Sequence, residues 1–178
     1  MTQRENPEAA AFERAASQFC RLLESTPADR ESWIEQVTAA LAMLYACGHA
    51  LVDLDTEQAK EFDKSFDVQD DEWRQVFRLV SDLVGEQRYY WAYFDPSEPL
   101  NFDESLNFGN LADDLADIYR DVKPGLRVWQ TLDDAYLPWV VVDWKFMLAS
   151  HWGVHAVSAM RALHPLALLR GLGESDAL

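Results

Sequence analysis

The stretch L-P-W-V-V-V-D-W-K-F-M-L-A-S-H-W-G-V-H-A-V-S-A-M, from Leu137 to Met160, decides how this chain folds. At about 100° per residue, Leu137, Val141, Trp144, Leu148, His151, His155 and Ala159 fall in one band, which is the period of a helix and not of a strand. Val142, Phe146, Gly153, Val157 and Met160 fall on the reverse, leaving Asp143, Ser150 and Arg161 as a narrow polar strip. A helix apolar on two sides is packed from both directions. The expectation is therefore a long central helix from about Leu137 to Leu169, with Pro165 as a candidate break and Gly153 admitting a close neighbour.

Working outward, Phe12, Ala16, Phe19, Leu22 and Leu23 recur at helical spacing between Glu5 and Glu24, and Ser25-Thr26-Pro27 closes that segment. Asp29 can cap a second helix with Trp33, Val37, Leu41, Leu44 and Tyr45 on one face and Gly48 as its stop; the two should pack antiparallel. Thr56 to Phe66 reads as a short helix or an ordered loop. Asp70 or Asp71 opens a firmer helix carrying Trp73, Val76, Phe77, Val80, Leu83 and Val84, ending near Gly85, and Tyr89 to Phe94 would add a turn or two. Residues 95–110 have the prolines, asparagines and glycine of a long surface loop, pinned to the body by Phe102 and Phe108. A helix follows from about Asn110 to Leu132, bent or divided at Pro124-Gly125. With no sustained two-residue alternation, the fold class is all-α. The chain reads as a single-domain bundle of about six helices over residues 1–170, with a flexible C-terminal tail over 171–178.

Charge limits the partners. Against 31 acidic residues stand only 15 basic ones, a formal charge of -16, which disfavours binding to nucleic acid and to anionic membranes. A basic protein is the better match. Cys20 and Cys47 form no C-x-x-C pattern and sit among apolar neighbours in helical segments, so they read as reduced cysteines of a cytoplasmic protein. The N-terminal residues lack the apolar stretch of a secretory signal, and runs such as L-P-W-V-V-V are too short to span a bilayer.

Few residues offer chemistry. In L-A-D-D-L-A-D-I-Y-R-D, from Leu111, the apolar stripe is Leu111, Leu115, Ile118, Val122 and Trp129; Asp113, Asp117, Arg120 and Arg127 point to water, while Asp114 and Asp121 flank the stripe. His151 and His155 lie one helical turn apart in the apolar band. Their ring nitrogens need partners, since an unpaired buried polar group costs about 1–3 kcal/mol. Asp114, Asp121, Tyr119, Tyr45 or a hydroxyl of Y-Y-W-A-Y-F could serve. A candidate pocket is therefore His151, His155, Asp114, Tyr119 and Trp144. No metal or cofactor is expected, because the glutamate of H-E-x-x-H is missing; were an ion held, His151, His155 and Asp114 would hold it. There is no P-loop, G-x-G-x-x-G or G-x-S-x-G.

The segments D-D-L-A-D-I-Y-R-D-V-K (113–123), D-E-W-R-Q-V-F, Y-Y-W, and W-K-F-x-x-x-S-H-W-G-x-H-A-V-S-A-M-R-A-L-H (144–164) resemble an uncharacterised bacterial family, the domain of unknown function 5063. The resemblance runs from the second helix to about His164. It implies a bacterial, all-helical, cytosolic protein and carries no activity with it.

Two functional expectations follow. The first is a non-enzymatic interaction or adaptor module that binds a protein, a basic one suiting its charge, through an aromatic and acidic loop comprising Tyr93, Phe94, Asp95, Phe102, Asp103, Glu104 and Phe108. The second is a helical enzyme or sensor using the His/Asp pocket.

Overall fold

Polar side chains start each of the first four helices. Asn6 accepts from the amide of Ala9 at 2.9 Å and, with Pro7 in the first turn, opens α1 (Pro7–Glu24). Asp29 accepts from Ser32 at 2.7 Å and opens α2 (Arg30–Ala50). The Glu72 carboxylate reaches back to the amide of Gln69 at 2.8 Å ahead of α3 (Asp70–Val84), and Asn110 accepts from Ala112 at 3.0 Å to open α4 (Leu111–Gln130). Each such cap is worth about 1 kcal/mol. The computed structural model describes residues 6–52, 56–57, 59–61, 63–92, 107–131 and 133–168. The residues of the proposed interaction loop from Tyr93 to Glu104, and the C-terminal tail, lie outside them.

The long C-terminal helix forms as α5 (Leu137–Met147) and α6 (Gly153–Leu168), joined without a break by one wide π-type turn, Leu148–Trp152. It passes through Pro165, just as α4 passes undivided through Pro124. Packing holds α4 together there: Gly125 is the notch for the Trp144 indole, which donates to the Val122 carbonyl at 3.1 Å. Gly48 likewise does not stop α2. It lies within the helix, where a Cβ would meet Leu148 and Trp152 at 3.0 Å.

The domain is a single helical bundle. Helix α1 packs on α2 and α4, α3 packs on α4, and both α2 and α4 pack on α6. Its centre is aromatic: Phe12 lies 4.7 Å from Trp144 and 6.1 Å from Trp152, centroid to centroid, and Trp129 stacks on Trp144. Helix α4 shares that centre with the C-terminal rod and is enclosed on more than one face, burying Asp114, Asp117 and Asp121 along with its apolar stripe.

A small β-hairpin replaces the expected helical turns over Tyr89–Ala92, while Tyr93 and Phe94 lie outside the described residues. Strand β1 (Tyr89–Ala92) pairs antiparallel with β2 (Asn107–Asn110), Tyr90 opposite Gly109 and Trp91 opposite Phe108. Consecutive aromatics favour a strand but leave no readable period in four residues. Alternation sends Tyr90 inward and Trp91 outward. Phe108 consequently does not pin a loop to the body: it is 67% exposed and packs on Trp91, with ring centroids 4.4 Å apart.

Candidate functional site

Two helices bring the site together. On α4, Asp114, Asp117 and Asp121 follow one another at intervals of three and four, so they share a strip about 60° wide on an ideal helix. Facing them from the C-terminal rod are His151 and His155. In an unbroken α-helix these histidines would continue the buried band of Trp144 and Leu148. The wide turn absorbs one extra residue, so the core face passes instead from Leu148 to Trp152, Ala156 and Ala159. His151 and His155 are thereby displaced to the flank that meets α4. Gly153 belongs to this device: a Cβ there would sit 2.2 Å from the Leu148 carbonyl oxygen of the same rod, which corrects the expectation of a close neighbouring helix. On the reverse of the rod Phe146 and Val157 are exposed, while Gly153 is buried and Met160 packs against the core.

Each imidazole has its own carboxylate. His151 Nδ1 meets Asp121 Oδ2 at 2.6 Å, and His155 Nδ1 meets Asp114 Oδ1 at 2.8 Å. Nε2 is then the nitrogen each ring has left to offer, and that of His155 lies 3.8 Å from Asp117 Oδ2. The rings meet edge to face with centroids 4.8 Å apart. Asp117 is held from the other side, where its Oδ1 accepts from Trp73 Nε1 at 2.8 Å and from Arg120 at 2.7 Å. Asp114 is also held twice, its Oδ2 accepting from the Tyr90 hydroxyl at 2.5 Å. Asp117 thus does not face water, nor does Arg127, which donates to the carbonyls of Phe66 and Asp67 and to the Glu72 carboxylate, whereas Arg120 is exposed as expected while bonding Asp117.

Negative charge dominates the centre. The hydrogen bond to Asp114 raises the pKa of His155 above its ordinary value, against the opposing pull of burial and with help from the charges of Asp114, Asp117 and Asp113. Burial pushes Asp121 up, with His151 pulling the other way, and burial also pushes Asp113 up beside Asp117 and Asp114. Along the same groove a cleft of about 270 Å³ is lined by Asp67, Val68, Arg120, Asp121, Pro124, Asp143 and Met147. There burial, reinforced by the charges of Asp121 and Asp67, pushes Asp143 up to about 6.

The arrangement offers two kinds of chemistry. A carboxylate on Nδ1 fixes the ring and leaves Nε2 for proton transfer. Alternatively, Asp117, His151 and His155 can share an ion, since their ligand atoms all lie within 4.8 Å of one another. Ligand atoms bound at about 2.0–2.2 Å to one tetrahedral ion are about 3.4 Å apart. Side-chain rotations of about 1 Å would close that gap.

The family model for a domain of unknown function, DUF5063, matches residues 3–168. The chain belongs to this family. No curated protein matches it. Its fold is shared by a solved structure, that of protein BF1032 from Bacteroides fragilis, at 21% sequence identity and a TM-score of 0.76 over 92% of this chain and 94% of that one.

In this DUF5063 domain the residues named from sequence do not all meet. His151, His155 and Asp114 are together. Tyr119 points elsewhere, donating to Glu24 at 2.8 Å, and Trp144 lies in the aromatic core. Tyr45 packs edge-on to His49 and Trp152. The residues that sequence reasoning passed over are Asp117, Trp73 and Arg120 as a group around the histidines, while Tyr90, one of the hydroxyls of Y-Y-W-A-Y-F, meets Asp114 rather than a histidine. Only Asp117 left a signal: the three-and-four spacing of Asp114, Asp117 and Asp121 complements a histidine pair four apart. Taking one stripe as the whole buried face of α4 hid it.

Proposed function

We propose that this domain binds a divalent transition-metal ion at Asp117, His151 and His155 and works as a metal-dependent sensor or enzyme. The observation that carries the reading is the pairing of each histidine Nδ1 with a separate buried carboxylate, Asp121 or Asp114, which orients the ring and makes Nε2 the better ligand. Imidazole ligands favour zinc or ferrous iron over magnesium or calcium. With three protein ligands, and the side chain of His151 40% exposed, coordination positions stay open to water or a small ligand. Untagged protein should retain close to one zinc or iron per chain by elemental analysis, and metal-free protein should take up Zn²⁺ by calorimetry. Asp117→Asn and His155→Ala should lose that uptake. A wild-type chain that takes up no ion at neutral pH would refute the reading.

A second reading rests on the hairpin. Trp91 and Phe108 form an exposed aromatic pair, and the sequence between their strands carries Asp95, Glu98, Asp103 and Glu104 with no lysine or arginine. Such a segment suits a basic protein partner, as an adaptor would need. A partner that co-purifies with the wild-type chain and is lost from Trp91→Ser/Phe108→Ser at unchanged melting temperature supports it; equal retention by both refutes it. The free cysteines Cys20 and Cys47 support a reducing cytoplasm as the location. Among the described residues no helix is long and apolar enough to cross a membrane.

A further inference from the structure

The hairpin and the metal-ligand cluster meet at one carboxylate. Asp114 Oδ1 holds His155 Nδ1, and Asp114 Oδ2 accepts from the hydroxyl of Tyr90 on β1. We propose that Tyr90 is a positioning residue of the metal centre, and that occupancy of the centre fixes the β-hairpin against α4. This rests on the metal reading and assigns that site its regulation.

Tyr90 is the inward anchor of the hairpin. Its ring lies across Gly109 of the facing strand so closely that a Cβ there would fall 2.1 Å from Cζ. An α-carbon without a side chain is what lets the ring lie flat and its hydroxyl reach α4. Trp91 and Phe108, one residue along on each strand, take the opposite face. Polarity runs one way through the link. Burial and the Asp114 charge keep the Tyr90 phenol protonated, so it donates; an ionised Asp114 can only accept. A metal on Nε2 requires a neutral ring with its proton on Nδ1, and that proton must also be donated to Asp114. The hydroxyl and the metal-bound imidazole thus favour the same charged state and orientation of one carboxylate. Removing the hydroxyl leaves a buried carboxylate oxygen without its donor and weakens its hold on His155.

Partners of this kind behind a ligand are typically worth about 10- to 100-fold in metal affinity. Linkage makes the effect reciprocal: whatever the docked hairpin adds to metal affinity, bound metal returns to hairpin docking. The experiment measures both sides with Zn²⁺. In wild type, Zn²⁺ should slow hydrogen exchange of the hydrogen-bonded amides in Tyr89–Ala92 and Asn107–Asn110 by about tenfold or more. Tyr90→Phe, which keeps the ring, should bind Zn²⁺ about 10- to 100-fold more weakly, lose that protection and give a shifted Co²⁺ absorption spectrum. Gly109→Ala, which displaces the ring from the other side, should do the same. Tyr89→Phe removes a hydroxyl of the same strand that bonds Arg88, and should leave affinity unchanged. If Tyr90→Phe binds Zn²⁺ as wild type does, or hairpin exchange ignores Zn²⁺ while the ion binds, the coupling is overturned and the metal site stands. If wild type binds no Zn²⁺, both fall.

Discussion

Asp143 gives the sharpest test of the electrostatics. It lines the cleft beside Asp121 and Asp67, with Arg120 the cationic group on the same wall, and its carboxyl is pushed from 3.8 to about 6, chiefly by burial. A raised acid pKa means that the native state holds the proton more tightly than the unfolded chain does. The contribution of Asp143 to stability therefore falls as pH rises from about 4 to about 6, and the loss is complete above that. At about 1.4 kcal/mol per pH unit the gap corresponds to about 3 kcal/mol, which solvent entering the open cleft reduces to about 1 kcal/mol. A carboxamide at this position, as in Asp143→Asn, would imitate the protonated acid at every pH. The expected result for that variant is a gain of about 1 kcal/mol in urea unfolding at pH 7.5, shrinking toward zero at pH 4, with unchanged urea sensitivity. A variant less stable than wild type at pH 7.5, or a difference that does not vary with pH, would refute the reasoning.

Other perturbations probe packing and reactivity. Gly125→Ala places a Cβ 2.3 Å from Trp144 Nε1 and should cost about 2 kcal/mol in chemical denaturation, because displacing that indole outweighs the helical preference of alanine. Gly153→Ala meets the Leu148 carbonyl at 2.2 Å; relieving that clash moves the turn bearing His151, so Zn²⁺ affinity should drop about tenfold or more in calorimetry even where the far-ultraviolet spectrum is retained. Cys20, pushed up to about 12 by burial, should react with a thiol reagent only in denaturant, whereas half-buried Cys47 should react in the native protein.

The helices were legible because their cores obey one period. Phe12, Ala16, Phe19 and Leu23 repeat at four, three and four, and Val76, Val80 and Val84 at four, with caps where polar residues stand, and the structure starts and ends those helices within a few residues of the sequence signals. The features that escaped are those that depend on a second element. A four-residue strand such as Tyr89–Ala92 is defined by its partner, which lies beyond a segment that reads as loop. Asp117 looked solvent-facing because one helix cannot reveal that α3 will bring Trp73 over it. The histidines looked like core because a wheel assumes a constant rise and turn. Their carboxylate partners were nameable, since a buried imidazole demands an acceptor; which ring took which aspartate was not.

The wide turn at Leu148–Trp152 has a consequence for how fold and site relate. Ala149 and Ser150, both exposed, are surplus to the core: without one of them Leu148 and Trp152 would stand three apart and Trp152 and Ala156 four apart, the rhythm of an ordinary α-helix. The rod can thus be regarded as a regular core helix with one residue slipped into it opposite α4. The hydrophobic pattern survives without that residue, and His155, directly before the core residue Ala156, keeps its flank; what the wide turn itself sets is the local path of His151. Shortening the helix by one residue is therefore the change that would disturb His151 and its bond to Asp121 while leaving His155 against Asp114 and the bundle intact.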